Sequence, residues 1–544
     1  MIFAVDRSLS VCAVLVTARK ERVLRARKTA RSGLWVSMAV LVSVVLAACG
    51  STSTSTPSTM RNAKAARPAG AWPYPNGNLA NSRDATGARI SSANIRSLQQ
   101  AWTFRLPASE VTSGPGFGAM AATPIVTHGV VYLQDLGYNV YALALATGKL
   151  KWEYKVSPGK VTGGGPDGVA VADGVVYGST MATAFALNAT TGKTIWVDRN
   201  LLGSGEGTLG SMQPQVASGR VYLASAIGTG PTGGVLLALN ASTGSLVWKF
   251  KTVIPTKESA AIPYGSGGAW ETPLVRSDGS VTFGIGNPYQ PAAMAIAHPS
   301  PWLYTDSDVN LDAATGKLRW YYQGVTNDFM DQDMQTSPIG AAINGVPAVI
   351  GSGKMGVVYA INASTGKLIW KTPVGEHSKS DDYSLEAVQH KLRLTAPYTI
   401  LPGSLGGVLS NLAMAHHTVY VTTDNARFTL AKMSRPLGAL DGQATGQIEA
   451  LNLATGKVEW DTRVPAMPLG ATTVSNDLVV TTLYTGVLIA LDRTTGAIVY
   501  QRKLPTSTNA PIAIAGNAIL VPAGGPSIYG PKGGSPQLMA YTVR

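Results

Sequence analysis

Ala360-Ile361-Asn362-Ala363-Ser364-Thr365-Gly366-Lys367-Leu368-Ile369-Trp370 is one of seven copies of a unit that decides the fold. The others run from Ala142 to Trp152, Ala186 to Trp196, Ala238 to Trp248, Asn310 to Trp320, Ala450 to Trp460 and Ala490 to Tyr500. An apolar strand meets an Asn/Asp-x-x-Thr-Gly turn, where Asx and Thr side chains bond local backbone and Gly supplies a positive φ. A second strand then runs to the aromatic residue. Upstream of most copies lies another strand pair, such as Gly129-Val130-Val131-Tyr132-Leu133 or Gly219-Arg220-Val221-Tyr222-Leu223, giving four short strands per unit. A fixed-period unit that cannot bury its own face alone is the signature of a repeat architecture, here a propeller blade. The recurring Trp supplies each unit with a flat anchor against its neighbour. Leu98 to Leu106, with Trp102, reads as a strand lacking its own blade, which the C-terminal strand Leu538 to Val543 completes. The expectation is an all-β, eight-bladed β-propeller over 71–544, with insertions at 288–304 and 375–402.

Composition agrees. With 60 Gly, 32 Pro and 7% aromatics, turns are dense and a helical bundle is disfavoured. Hydrophobic residues at 45% against 14% charged exclude disorder for most of the chain. The net charge of +14 falls to +8 without residues 1–48, and the remaining cations form no cluster, so nucleic acid is not an expected partner. Seven basic residues from Arg19 to Arg31 precede an apolar run, Leu34 to Ala48, that is shorter than the roughly 20 residues of a spanning helix. Residues 1–48 therefore read as a signal peptide. Leu46-Ala47-Ala48-Cys49-Gly50 resembles a bacterial lipobox, which implies lipidation of Cys49, a flexible Ser/Thr/Pro tether over 49–70, and an extracytoplasmic, membrane-anchored protein. The only other cysteine, Cys12, falls in the segment to be removed, so no disulfide, thiolate metal site or c-type haem is expected in the mature chain.

The repeats and the opening Trp72-Pro73, Asn81-Ser82-Arg83, Asn94-Ile95 and Ala101-Trp102-Thr103-Phe104 are similar to the quinoprotein dehydrogenase propellers that hold pyrroloquinoline quinone (PQQ). The resemblance implies a site. Gly267-Gly268-Ala269-Trp270 resembles the segment whose Trp forms the floor under the quinone, and Gly284-Ile285-Gly286-Asn287-Pro288 the one whose Asn ligates the metal. Asn327-Asp328-Phe329-Met330-Asp331-Gln332-Asp333 resembles a His-Asp-x-Trp-Asp stretch, with Asp331 in the place of the catalytic base. Gly353-Lys354-Met355-Gly356 resembles the cofactor-contacting Lys/Arg loop, and Gly406-Gly407 through Asn411 a further pocket loop.

The implied assignments are Asp331 and Lys354 as catalytic, Trp270, Lys354 and Asn411 as cofactor-binding, and Asn287, Asp331 and Asp333 as ligands of Ca²⁺ or a lanthanide. Indole stacks on a planar quinone, hard cations take oxygen ligands, and an ammonium neutralises developing negative charge. Departures accompany these matches. Thr229 stands where the family has a Glu ligand, and Asp167 near where an Arg meets the quinone. A vicinal disulfide is impossible. Asp333, or less favourably Glu271, supplies a substitute oxygen.

Each residue also has a plainer reading. Trp270 is one of 11 Trp, most of them blade anchors; Asp328, Asp331 and Asp333 form a run that is more often a solvated loop; Lys354 suits a surface turn. The six histidines, including His416-His417, show no ligand spacing. Two functions follow. One is a lipid-anchored, PQQ-dependent dehydrogenase of an alcohol, polyol or aldose with a separate electron acceptor. The other is a cofactor-free, protein-binding envelope scaffold resembling the outer-membrane assembly lipoprotein.

Overall fold

The computed structural model describes residues 70–106, 118–156, 167–226, 228–229, 233–254, 265–434, 439–440, 444–525 and 534–544. The expected signal peptide, Cys12, Cys49 and the tether as far as residue 69 lie outside the described residues. Eight four-stranded antiparallel sheets form the blades of a propeller. Blades 1, 2, 3 and 7 occupy 125–154, 170–198, 215–251 and 473–503. Blade 4 is built from Leu274–Val275, Ser280–Ile285, Ser307–Asp312 and Leu318–Gln323, and blade 5 from Ile339–Ile343, Val346–Gly351, Val357–Asn362 and Leu368–Pro373. Blade 6 comprises Ala413–Ala415, Thr418–Asn425, Thr445–Asn452 and Val458–Val464.

Blade 8 joins the two ends of the ring. Its inner strands, Ala513–Ala515, Ala518–Ala523 and Gln537–Thr542, come from the C-terminal region, and its outer strand is Gln99–Arg105. The last two pair antiparallel from Gln99 opposite Thr542 to Arg105 opposite Gln537. This bears out the sequence expectation for the unpaired strand at Leu98 to Leu106. Radial closure leaves only short, protected edges, which suits a fold without cross-links.

The repeated Trp and Gly work as a pair. Each indole N–H donates to a backbone carbonyl of the next blade: Trp102 to Leu145, Trp152 to Ala189, Trp196 to Ala241, Trp248 to Ala313, Trp320 to Ala363, Trp370 to Leu453 and Trp460 to Arg493. Within a turn, the Asn362 carboxamide oxygen accepts from the N–H groups of Ser364 and Thr365, both at 3.0 Å. The first copy carries Ala144 at that position and closes without an Asx side chain, through Gly148 N–H to Ala144 O at 2.8 Å and Lys149 N–H to Thr147 Oγ1 at 3.3 Å.

Turn glycines meet two demands. Gly456 has φ +71°, and a Cβ there would lie 2.5 Å from the Trp370 ring. Gly129 has φ +72° with nothing within 4 Å of that position. Gly456→Ala is therefore expected to destabilise the protein by about 2–4 kcal/mol, and Gly129→Ala by about 1–2 kcal/mol, because only the first adds a clash to the backbone strain. Urea unfolding of both variants checks this; equal losses would contradict the role of glycine as the seat of the neighbour's indole.

The N-terminal segment fills the hub. Trp72 pairs with Val126 of blade 1, while the carbonyls of Ala80, Ser82 and Arg83 accept from Gly340, Met414 and Val474 of blades 5, 6 and 7. Asn81 Nδ2 donates to Thr272 O at 3.3 Å and Pro338 O at 3.0 Å, ahead of the inner strands of blades 4 and 5. Arg83 is fully buried there.

Outside the ring, both expected insertions carry short helices, Ala292–Ala297 and Tyr383–Val388. A three-stranded sheet of Tyr398–Ile400, Phe428–Leu430 and Ala439–Leu440, which sequence reading did not anticipate, lies beside them. Ala295, Ala387, Ile400 and Phe428 pack with Phe329 and Met330 in one apolar cluster, so the insertions bury the loop that carries Asp331.

Candidate functional site

Strand direction places the site. In an antiparallel blade, the turn between the second and third strands lies at the same end as the connection from the outer strand to the next blade's inner strand. Asn287 and Lys354 sit in the first kind of turn, in blades 4 and 5. Trp270, Asp331, Asp333 and Asn411 sit in connections of the second kind. All six are therefore at the end opposite the Thr-Gly turns.

The acidic loop is buried. Asp328, Asp331 and Asp333 are 1%, 6% and 0% exposed, which overturns the solvated-loop reading. Asp328 shapes the loop by accepting from the N–H groups of Met330 and Gln332, both at 2.7 Å. Burial raises its carboxyl to about 6 against those hydrogen bonds. Asp331 takes φ +63°, an uncommon backbone for a residue other than glycine and a kind of strain that concentrates at functional sites.

Lys354 is buried as well, not a surface lysine. Its Nζ lies 2.9 Å from Asp331 Oδ2 and 2.6 Å from Asp333 Oδ2. The other oxygen of Asp331 accepts from Asn287 Nδ2, and Asp333 Oδ1 accepts from Asn287 N at 2.7 Å. Asn287 Oδ1 accepts from Tyr289 N at 2.6 Å. The two carboxylates hold the Lys354 ammonium well above its ordinary range despite burial. For Asp331, burial outweighs the attraction of Lys354 and lifts the carboxyl to about 8.

One further acid, Asp306, faces this group, and a second, Asp308, is buried two residues on. Asp306 and Asp308 are fully buried; neither oxygen of Asp306, nor Asp308 Oδ2, has a hydrogen-bond partner. Burial, followed by the charges of Asp328, Asp333 and Asp331, pushes Asp306 well above the carboxylate range. A carboxyl buried in this way stays protonated unless a cation is held beside it.

A cavity of about 330 Å³ opens in front of Lys354. Trp270, Tyr289, Lys354, Glu271 and Asn411 line it, together with Leu405, Leu409, Met467, Leu469 and Tyr484, which belong to one apolar cluster. Trp270 is thus a cavity wall and not a blade anchor. Asn287, Asp331 and Asp333 do not line the cavity; they lie behind Lys354 and the indole. Gly286 joins the two layers, because a Cβ there would stand 2.5 Å from the Trp270 ring and 2.6 Å from Asp333 Oδ1.

Glu271 has one oxygen engaged by neighbouring blades. Its Oε2 accepts from Asn411 Nδ2 at 2.8 Å and from Ser337 Oγ at 3.3 Å. Burial lifts its carboxyl to about 7, against those hydrogen bonds and the charge of Arg83. Asp167 is buried, has both oxygens unpartnered, and is not among the cavity-lining residues. The side chain of Thr229 lies outside the described residues. His416 and His417 are exposed at a blade 6 hairpin turn, away from the cavity.

Sequence reading missed Tyr289, Asp306 and the pairing of Glu271 with Asn411. The position of Tyr289, two residues after Asn287, was its only signal.

Comparison with known proteins gives the same direction. The family model for the glucose/ethanol/alcohol dehydrogenase β-propeller domain (PQQ) matches residues 72–166 and 203–404, just over half of the chain. A second model, for the outer membrane protein assembly factor BamB, matches 406–535. The dehydrogenase subunit of a quinone alcohol dehydrogenase from Gluconobacter oxydans is 27% identical over 377 residues, covering 59% of this chain and 47% of that protein. The chain spans about half the length of the curated relatives it matches. The quinohemoprotein alcohol dehydrogenase structure from Comamonas testosteroni superposes with a TM-score of 0.71 at 20% identity, over 88% of this chain and 81% of that one. A europium-containing methanol dehydrogenase gives 0.72 at 18% identity, over 87% and 98%. At these identities the structural likeness establishes the fold alone.

Proposed function

The chain belongs to the PQQ family of glucose/ethanol/alcohol dehydrogenase β-propeller domains, and we propose that it is a PQQ-dependent dehydrogenase that oxidises an alcohol, polyol or aldose. The observation that carries this reading is the convergence of Trp270, Lys354 and Asn411 on one cavity, with Asn287, Asp331 and Asp333 packed directly behind Lys354.

The residues present fit the implied groups. About 330 Å³ lies within the roughly 300–1,000 Å³ of small-ligand pockets. An indole face, an ammonium and a carboxamide suit a planar, polyanionic quinone. Asn287, Asp331 and Asp333 are oxygen donors of the kind that Ca²⁺ or a lanthanide takes. A cation held there would favour the ionised form of the buried Asp306 carboxyl, which burial and the neighbouring acids otherwise keep protonated.

When bound, PQQ would take up the hydride released from the substrate carbon, the cation polarising its carbonyl. The chain's own residues do the rest. Asp331 takes the substrate hydroxyl proton across Lys354, the group that lines the cavity and donates to its Oδ2 at 2.9 Å, a task suited to a carboxyl whose affinity for protons burial has raised. Lys354, its charge secured by Asp331 and Asp333, faces the cavity and stabilises negative charge developing there. Trp270 provides a flat wall, and the apolar cluster that includes Leu405, Leu409, Met467 and Leu469 limits water. Electrons then pass to a separate acceptor, and Cys49 carries a lipid that holds the domain outside the cytoplasm at a membrane.

A specific observation favours a second reading, a cofactor-free binding scaffold. The Lys354 ammonium already stands between Asp331 and Asp333 and pairs with both, and the assembly-factor model matches 406–535. The purified protein, supplied with PQQ and either Ca²⁺ or La³⁺, should reduce an electron-accepting dye with at least one member of a panel of alcohols, polyols and aldoses. Absence of reduction with either metal across the panel would leave the scaffold.

A further inference from the structure

The Asn411 carboxamide is held at both ends. Its Oδ1 accepts from the backbone N–H of Ser337 at 2.8 Å, which fixes which end is oxygen. Its Nδ2 donates one hydrogen to Glu271 Oε2 at 2.8 Å. A carboxamide nitrogen carries two hydrogens, and the second has no acceptor among the described residues. Asn411 and Glu271 both line the cavity next to Trp270. The three partners come from consecutive blade entries: Glu271 ahead of blade 4, Ser337 ahead of blade 5 and Asn411 ahead of blade 6. Ser337 Oγ also donates to Glu271 Oε2, closing the triangle at 3.3 Å.

Resting on the cofactor-binding reading above, we infer that Glu271 is a positioning residue: it locks the Asn411 carboxamide so that the free N–H faces the cavity as a preset donor to a quinone or carboxylate oxygen of the cofactor. Glu271 acts through Asn411, because Oε2 is the oxygen that it presents to both Asn411 and Ser337. A donor fixed before binding loses no rotamer freedom when the ligand arrives, so its effect falls on affinity.

The test is a set of PQQ dissociation constants, read from the shift of the quinone absorbance at fixed Ca²⁺, for the full-length wild type and five variants. Glu271→Ala should weaken binding about tenfold, the equivalent of one charge-assisted hydrogen bond. Glu271→Gln, which keeps an acceptor oxygen at the same reach, should stay within about threefold. Asn411→Ala should match Glu271→Ala, and the double variant should be no weaker than either single one, because the two residues form one unit. Glu271→Asp keeps the charge but withdraws the oxygen; it should show the same loss and serves if the alanine variant does not fold. Wild-type affinity in Glu271→Ala and Glu271→Asp, or losses that multiply to about a hundredfold in the double variant, would overturn the positioning role. Absence of PQQ binding by the wild type would instead overturn the cofactor-binding reading, and this inference with it.

Discussion

Asp331→Asn is expected to lower kcat about a thousandfold while leaving PQQ affinity within a few-fold of wild type, the range assigned to loss of a general base. The substitution keeps volume and shape. It removes the acceptor that would take the hydroxyl proton. Asn287 Nδ2 and Lys354 Nζ both donate to Asp331, so a carboxamide there must set its own NH₂ against one of them. Asp333 still holds Lys354 at 2.6 Å, which retains the ammonium at the cavity. Some loss of stability should accompany the loss of turnover, and a thermal melt separates the two. Dye-reduction kinetics on PQQ-loaded enzyme provide the measurement, and an unchanged kcat would remove Asp331 from the role of base.

Arg83→Ala should destabilise the whole propeller by about 3–5 kcal/mol, the scale for removing one partner from a buried charged network. The guanidinium donates to Thr472 O at 2.8 Å, Asn76 Oδ1 at 3.0 Å, Thr473 Oγ1 at 2.9 Å, Ile512 O at 2.6 Å and Thr123 Oγ1 at 3.4 Å. It also stands 5.3 Å from the Trp72 ring centroid. Burial pulls its pKa down to about 9 against the attraction of Glu271, which still leaves it charged at neutral pH. One side chain thus ties together blades 1, 7 and 8 and the N-terminal segment. Arg83→Lys should recover only part of the loss, because a compact ammonium cannot reach five acceptors in a planar fork. Urea unfolding measures both; a loss below about 1 kcal/mol for the alanine variant would contradict the anchoring role.

The ring was legible because its two demands recur in sequence. Each blade needs a residue able to take positive φ beneath its neighbour's indole, so Gly and Trp recur at fixed spacing, as in Gly456 under Trp370. The closing strand was legible for the same reason: Trp102 is an anchor whose blade is missing locally. The hub was not. Arg83 meets partners as far along the chain as Ile512, and no periodicity marks a residue used once.

Trp270, Asn287, Asp331 and Lys354 were legible through their order along the chain, and the structure brings them to one end of the ring. Their burial was not, since a run such as Asp328 to Asp333 is usually solvated. Here the helices of the two insertions, through Ala295 and Ala387, pack on Phe329 and Met330 within the run itself. The pairing of Glu271 with Asn411 stayed hidden because it depends on how blades 4 and 6 meet at the hub, across 140 residues of sequence.

Equilibrium titration of the purified protein with PQQ, in the presence of Ca²⁺ and separately of La³⁺, tests the central claim most directly. The account predicts saturable binding of one quinone per chain with at least one of these metals, weakened about tenfold or more in Trp270→Ala, where the stacking wall is gone. Absence of saturable binding with both metals, or equal affinity in wild type and Trp270→Ala, would contradict it.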